Sequence, residues 1–545
     1  MSDVKPAGEV AAETLKVHGV DMLFTLSGGH LFPLYDGCVK HDVALVDTRH
    51  EQTAAFAAEG WAKVTRRVGV AALTAGPGVT NGVSAITSAH LNGSPLLVIG
   101  GRAPQARWGS GSLQELDHVP IVASVTKHAA TLEDGDAVAT GLDAALRTAR
   151  TPHRGPAFVD IPLDGWGGTE SPVPNAPDAG ALAGAAPDPD AVARVADLLA
   201  KSARPVLMVG GDVYWAGAEH AVLALIEAAN IPAFANDLGR GLIPADHERA
   251  FSRARKVAFV EADLVVVVGT PLDFRLGFGS FNAPVVHLAD TEGGVAPHVE
   301  LAASAAGDLK VMFEALAEQV PTASDGAALK ARGDWIARLR EDEHARREAE
   351  RDTLESDAFP IHPARIYGEL RTRLAQDAVV IGDGGDFVSY AGKYVDTFTP
   401  GCFLGPGPYG CLGAGTGYAL AAALAYPQRQ VVVMYGDGAI GFTLGDLDTL
   451  VRHNVNVTAI IGNNGIWGLE KHPMQLIFGY DVVAELRPGT RYDQVAEALG
   501  AHGELIEQPG DIGAAIDRGL AHPGLSVINV LTDPADAYPR SSNLG

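Results

Sequence analysis

The chain has 545 residues, 47% hydrophobic, 6% aromatic and 20% charged, too long for one core and long enough for about three domains. Its formal net charge of −25 argues against a nucleic-acid partner, since gripping phosphates needs a basic face. Three cysteines without a CxxC spacing give no disulfide framework or thiolate zinc site. No apolar run is long enough for a bilayer, and the first residues, MSDVKPAGEV, lack a secretion pattern, so a cytoplasmic protein is expected.

In the first block, residues 1–167, the apolar runs 68–74 and 95–100 are buried-strand candidates around a helix that begins near Thr80. Residues 168–190 are dense in Pro, Ala, Gly and Asp and read as a linker. In the second block, 188–320, the runs 205–211, 231–235 and 264–269 alternate with Ala-rich helices. Residues 320–358 pass from a polar segment into a highly charged helix and read as a second linker. In the third block, 360–532, the runs 378–384, 431–438 and 457–464 repeat the alternation, and residues 533–545 form a tail. Continuous Val/Ile runs mean strands covered on both faces, hence parallel sheets. The fold class expected is α/β, with three doubly wound parallel-sheet domains. Ligands bind such sheets beyond the carboxyl ends of the strands. Glycine-rich turns stand there: Gly76-Pro77-Gly78, Gly210-Gly211, Gly382-Asp383-Gly384-Gly385 and Gly436-Asp437-Gly438.

Residues 431–466 carry the most information. They read as a strand, Gly436-Asp437-Gly438, one helix length, a second strand, then Asn463-Asn464-Gly465. Adjacent parallel strands set the two turns side by side, so Asp437, the Asn464 side chain and a backbone carbonyl near Ile466 can share one cation. An oxygen-only set with positions left for phosphate oxygens suits Mg²⁺. Gly436, Gly438 and Ala439 let the backbone and a helix N-terminus approach a diphosphate. A pair of tight βα turns is the plainer reading of the same residues.

The GDG…NN arrangement is the thiamine diphosphate motif, and the chain resembles the acetolactate synthase and pyruvate decarboxylase superfamily over nearly its whole length. The resemblance implies pyrimidine-binding, central and diphosphate-binding domains. It also implies active sites formed between subunits of a homodimer or homotetramer. Glu51, in VDTRHEQTAAFAAEG, matches the glutamate that bonds the aminopyrimidine N1′; otherwise it is a carboxylate at a helix start. TAGPGVTN, with Pro77 and Asn81, matches the turn that meets the cofactor across the dimer interface. In GPYGCLGAGTG, Leu412 resembles the apolar wedge beneath the cofactor and the Gly410 carbonyl its 4′-amino partner. Gly384, Gly385 and Asp386 resemble a second diphosphate-contacting loop.

Three residues bear on the reaction. His30 matches a histidine of benzaldehyde lyase and suits a proton acceptor. Gln114 matches a glutamine shared by acetolactate synthases and acyl-CoA lyases. Glu470 stands where pyruvate decarboxylase has a glutamate and acetolactate synthases usually have an apolar residue; its plainer reading is a solvated residue paired with Lys471. Residues 252–279 resemble 2-hydroxyacyl-CoA lyases and oxalyl-CoA decarboxylase, which implies Arg253, Arg255, Lys256 and Arg275 as partners of coenzyme A phosphates. In those relatives the C-terminal segment resembles a lid, and Arg540 is a further phosphate candidate. The resulting expectation is a 2-hydroxyacyl-CoA lyase that uses thiamine diphosphate and Mg²⁺ and acts on an acyl-CoA thioester. The alternatives are an acetolactate synthase-type carboligase of 2-keto acids and a catalytically silent cofactor-binding assembly protein.

Overall fold

The computed structural model describes residues 4–177, 179–536 and 538. The continuous apolar runs become strands buried along their length, as in Leu264–Val268 and Val431–Gly436. They assemble into three wholly parallel sheets. The first has the order Ala44–Asp47, Met22–Thr25, Gly69–Leu73, Leu96–Arg102, Pro156–Pro162, His128–Thr131. The third runs Phe403–Leu404, Val379–Asp383, Val431–Gly436, Val457–Asn463, Leu525–Leu531, His502–Ile506. Numbered along the chain within its own domain, each of these two sheets has the strand order 2-1-3-4-6-5. The central sheet is five-stranded: Ala233–Ala235, Pro205–Val209, Leu264–Val268, Val285–Ala289, Ala303–Ala306. All three reverse direction between their first and third strands, which opens a crevice there. Among the described residues no helix is long and apolar enough to cross a membrane.

The region 168–190 is largely irregular, as expected, but Gly168–Thr169 pairs antiparallel with Lys5–Pro6. The second expected linker is different. Helix Gly326–Ala349 packs on the central domain through Arg332, Trp335, Leu339 and Glu343, all buried. The Arg332 guanidinium donates to the carbonyls of Ser202, Ala229, Leu199 and Ala200, and Trp335 Nε1 donates to Pro205 O at 3.2 Å. The buried stripe has helical spacing, but two of its four residues are charged, so the segment reads as solvated.

The first and third domains meet through helices Glu51–Thr65 and Ala414–Ala425. Glycines let them close up: a Cβ on Gly60 would fall 2.8 Å from Tyr418 Cα, and one on Gly417 would fall 2.8 Å from Ala57 N. Buried Glu59 accepts from Tyr418 Oη at 2.7 Å and pairs with Lys63 at 2.9 Å. The first and central domains meet where His153 Nδ1 lies 3.2 Å from both Asp290 oxygens and 3.4 Å from Asp212 Oδ1.

Candidate active site

A cleft of 760 Å³ opens at the strand reversal of the third sheet. It is lined by Gly384, Gly385, Asp386, Gly410, Leu412, Gly436, Asp437, Gly438, Ala439, Asn464, Ile466 and Glu470. Every diphosphate, metal and wedge residue expected from the third domain is therefore in one place. Strand register sets this up: Gly436 pairs with Gly462, so the turns carrying Asp437 and Asn464 leave neighbouring strand ends.

Asp437 is buried, and its oxygens accept from Gly438 N at 3.0 Å and Gly465 N at 2.8 Å. Burial pushes its carboxyl up to about 6, with the Gly465 and Gly438 amides pulling the other way. A nearby cation would favour the ionised form. The two asparagines divide their work. Asn464 faces the cleft, its Oδ1 accepting Ile466 N at 3.3 Å. Asn463 turns into the domain, where Nδ2 donates to Thr490 O at 2.9 Å and Asn529 Oδ1 at 3.1 Å. The glycines have steric causes. A Cβ on Gly384 would lie 2.5 Å from the Ala439 Cβ, and one on Gly438 would lie 2.3 Å from the Trp467 ring. The bare backbone and the oxygen donors fit a magnesium-bound diphosphate.

Asp383 carries no sequence signal beyond its place in the glycine turn. It is fully buried and accepts from Gly413 N at 3.1 Å and Gly415 N at 2.7 Å, which fixes the turn behind Leu412. Burial pushes its carboxyl up to about 6, and the Gly415 and Gly413 amides oppose that. Asp446 carries none either. It accepts from Arg49 N and Thr53 Oγ1, both at 2.8 Å, and so ties the third domain to the start of the Glu51 helix. A lone Asp carries no sequence signal of such a long-range bond.

The first-domain residues form a second group. Glu51 is buried and accepts from Asn81 Nδ2 at 3.0 Å. His30 is buried, with Nδ1 3.2 Å from Thr74 Oγ1. Burial lowers its pKa, which favours the neutral ring. Gln114 has φ +60° and lies against Gly76, the residue before Pro77. None of Glu51, His30, Pro77, Asn81 and Gln114 lines the 760 Å³ cleft of the same chain.

Glu470 is exposed on helix Gly468–Phe478 and faces the cleft. Lys471 pairs with Glu485 rather than with Glu470. Of the basic residues, Arg253 is committed, bonded to Glu350 at 3.3 Å and to Asp396 at 3.4 Å with its side chain 5% exposed. Arg275 lies between Asp273 and Asp237, and Arg255 donates to Arg275 O at 3.1 Å. Arg255, Arg275 and Tyr538 line both the cleft and an open 890 Å³ groove, where Lys256 and the stacked Phe259–Phe281 pair also lie. Arg540 lies outside the described residues; Tyr538, in the same tail, meets the Tyr390 ring edge-on at 4.9 Å.

Three family models match the chain. They are the thiamine pyrophosphate enzyme N-terminal TPP binding domain over residues 5–121, the central domain over 192–316 and the C-terminal TPP binding domain over 383–530. The chain is 52% identical to "Acetolactate synthase large subunit IlvG" of Mycobacterium tuberculosis, over 99% of this chain and 98% of that protein. It is 32% identical to "2-hydroxyacyl-CoA lyase 2" of Caenorhabditis elegans, over 92% of this chain and 84% of that one. The human protein of that name is 30% identical, over 93% and 86%.

Proposed function

The chain belongs to the thiamine pyrophosphate enzymes, and from that premise we propose that it is an acetolactate synthase-type carboligase of 2-keto acids. The observation that carries this choice over the lyase first expected is the 52% identity to an acetolactate synthase large subunit across almost the whole of both chains. Thiamine diphosphate is the cofactor, and when bound it supplies an electron sink for the bond beside a carbonyl.

The side chains then divide the work. Asp437, Asn464 and the Ile466 carbonyl hold Mg²⁺. Gly384, Gly385, Gly438 and Ala439 admit the diphosphate, with Asp386 at the same loop. Leu412 supports the rings, and the Gly410 carbonyl takes the amino group. Glu51, oriented by Asn81, would share a proton with the pyrimidine ring nitrogen, donating as the carboxylic acid and accepting once that nitrogen is protonated. Neutral His30 can accept a substrate hydroxyl proton, and Gln114 can donate to a substrate carbonyl. Because the Glu51 group lies outside its own chain's cleft, the complete site needs a second copy of the chain.

A second reading, 2-hydroxyacyl-CoA lyase, draws support from two features. Glu470 puts a carboxyl at the cleft, and the basic, aromatic groove beside it suits the phosphates and base of a CoA thioester. The deciding experiment gives pure, thiamine diphosphate- and Mg²⁺-loaded enzyme pyruvate in one vessel and 2-hydroxyacyl-CoAs in another. Acetolactate from pyruvate is expected; formyl-CoA from the thioesters without acetolactate would transfer the assignment to the lyase.

A further inference from the structure

The reaction residues of the first domain hang on a buried relay that lies outside the 760 Å³ cleft. Asp160, on strand Pro156–Pro162, and His118 are both fully buried. His118 Nδ1 lies 2.9 Å from Asp160 Oδ2, and its Nε2 lies 2.9 Å from the Gly76 amide nitrogen. An amide can only donate, so Nε2 must be bare, and the ring's proton sits on Nδ1 facing the carboxylate. Arg102 completes the anchor, donating to the same Asp160 oxygen at 3.0 Å and to Asp117 at 3.1 Å while stacking on Trp108 at 4.0 Å.

The segment from Trp108 to His118 is thus fastened to the sheet at both ends. Between the fastenings sits Gln114, a non-glycine residue at φ +60°, packed on Gly76 at φ +62°. A Cβ on Gly76 would fall 3.0 Å from the Gln114 Cβ. Such a conformation persists only where the surroundings over-determine it. Next to it, Gly101 brings His30 up against Ala75: a Cβ on Gly101 would fall 2.6 Å from the His30 Cβ and 3.1 Å from Ala75 N.

We propose that His118 is a positioning residue, carrying the placement of the Gly76 turn, and with it Gln114 and His30, from the buried Asp160 carboxylate. The proposal rests on the reading that Gln114 and His30 face the substrate. The ionisable groups around the ring are Asp160, Arg102, Asp117 and His30.

Two variants separate positioning from simple filling of space. In His118→Gln the amide oxygen falls near Nε2 and can still accept from Gly76. In His118→Asn the amide keeps the bond to Asp160 but leaves Gly76 without an acceptor. Hydrogen exchange of residues 74–79, cofactor affinity, and turnover of pyruvate and of 2-hydroxyacyl-CoAs would be measured on loaded enzyme. For His118→Asn, exchange at Gly76 should quicken by roughly tenfold, the worth of one hydrogen bond. Its kcat should fall by about 10- to 100-fold with thiamine diphosphate affinity unchanged, as expected when a reacting geometry slips. His118→Gln should recover protection and most of the turnover. Wild-type protection of Gly76 in His118→Asn, or equal losses in both variants, would overturn the proposal. If the wild type turned over neither substrate, the functional reading would fail, and the exchange comparison would still decide the role of His118.

Discussion

Replacing Asp383 by alanine tests whether the cofactor cleft is shaped from behind. The carboxylate ends strand Val379–Asp383 and is the acceptor for two buried amides, Gly413 N at 3.1 Å and Gly415 N at 2.7 Å. Without it each amide is left unsatisfied, at about 1–3 kcal/mol apiece. Removing a buried carboxylate also relieves its desolvation, which offsets part of this cost. A net loss of about 2 kcal/mol follows, near the middle of the range for point mutants. The loss is local. Gly413 is the left-handed cap of helix Ala414–Ala425, and Leu412 and Gly410 stand immediately before it. If the loosened turn must be re-formed when the cofactor enters, about 2 kcal/mol becomes roughly a 30-fold weaker thiamine diphosphate Kd. Urea unfolding gives the stability, and tryptophan fluorescence titration at saturating Mg²⁺ gives the affinity. Asp383→Asn, which keeps one acceptor, should fall between wild type and alanine in both. A lowered urea midpoint with unchanged affinity would refute the link from Asp383 to the cofactor. No change in either would refute the hydrogen-bond argument itself.

Three further outcomes are expected. Glu51→Gln should bind cofactor but not turn over, and Asp437→Ala should lose Mg²⁺-dependent binding; co-assembled at equal amounts, the two dead chains should regain about a quarter of wild-type activity, since half the dimers carry one intact site. No regained activity in proven mixed dimers would place the whole site within one chain. Glu470→Gln should lower lyase turnover by about 10²–10⁴-fold, the worth of a positioned acid, and change acetolactate formation little; a lost synthase rate would give Glu470 a role in both reactions. His153 is pulled down by burial but held up to about 9 by the hydrogen bond to Asp290 and the charges of Asp212 and Asp290. A folded value above the ordinary 6.5 means this stabilisation is complete below about pH 6.5 and disappears as pH rises through 9; with the ring 44% exposed, screening leaves about 1 kcal/mol. The melting temperature of wild type should fall over that window relative to His153→Gln, and parallel curves would show that the pair contributes nothing.

The sequence made the third domain legible because its signals are local. Gly436-Asp437-Gly438 and Asn463-Asn464 each end an apolar run, and the parallel register turns that spacing into adjacency. The edges of the strands were also close, because unbroken Val/Ile runs are buried on both faces. What stayed hidden depends on long-range partners. Arg332 and Glu343 look solvated in sequence, yet Arg332 binds four carbonyls, and Glu343 accepts from the amides of Ser252, Arg253 and Ala254. Asp383, Asp446 and Asp160 are likewise acidic residues whose roles come from amides, hydroxyls and side chains far along the chain. Arg253, which the resemblance makes a phosphate contact, lines the 890 Å³ groove but is also ion-paired with Glu350 and Asp396, partners that no sequence signal announces.

The first and third sheets share one strand order, and each places its glycine turn at the same reversal. In the third this gives Gly384 and the Asp437 turn; in the first it gives the Gly76 turn, with His30 and Gln114 beside it. Two like domains therefore offer two like crevices, but with opposite chemistry. The third has oxygen donors and bare backbone suited to a metal-bound diphosphate. The first has a buried glutamate, a neutral imidazole and an amide, suited to a heterocycle and a carbonyl. A cofactor with a diphosphate at one end and a pyrimidine at the other needs one crevice of each kind, facing each other. Within the chain the two domains are joined instead through helices Glu51–Thr65 and Ala414–Ala425, fixed by the buried Glu59–Lys63–Tyr418 cluster and by Asp446. That junction leaves Glu51 outside the chain's own cleft. On the proposed function the partner crevice comes from another copy, and a two-fold pair in which each first domain meets the other's third would complete both clefts at once.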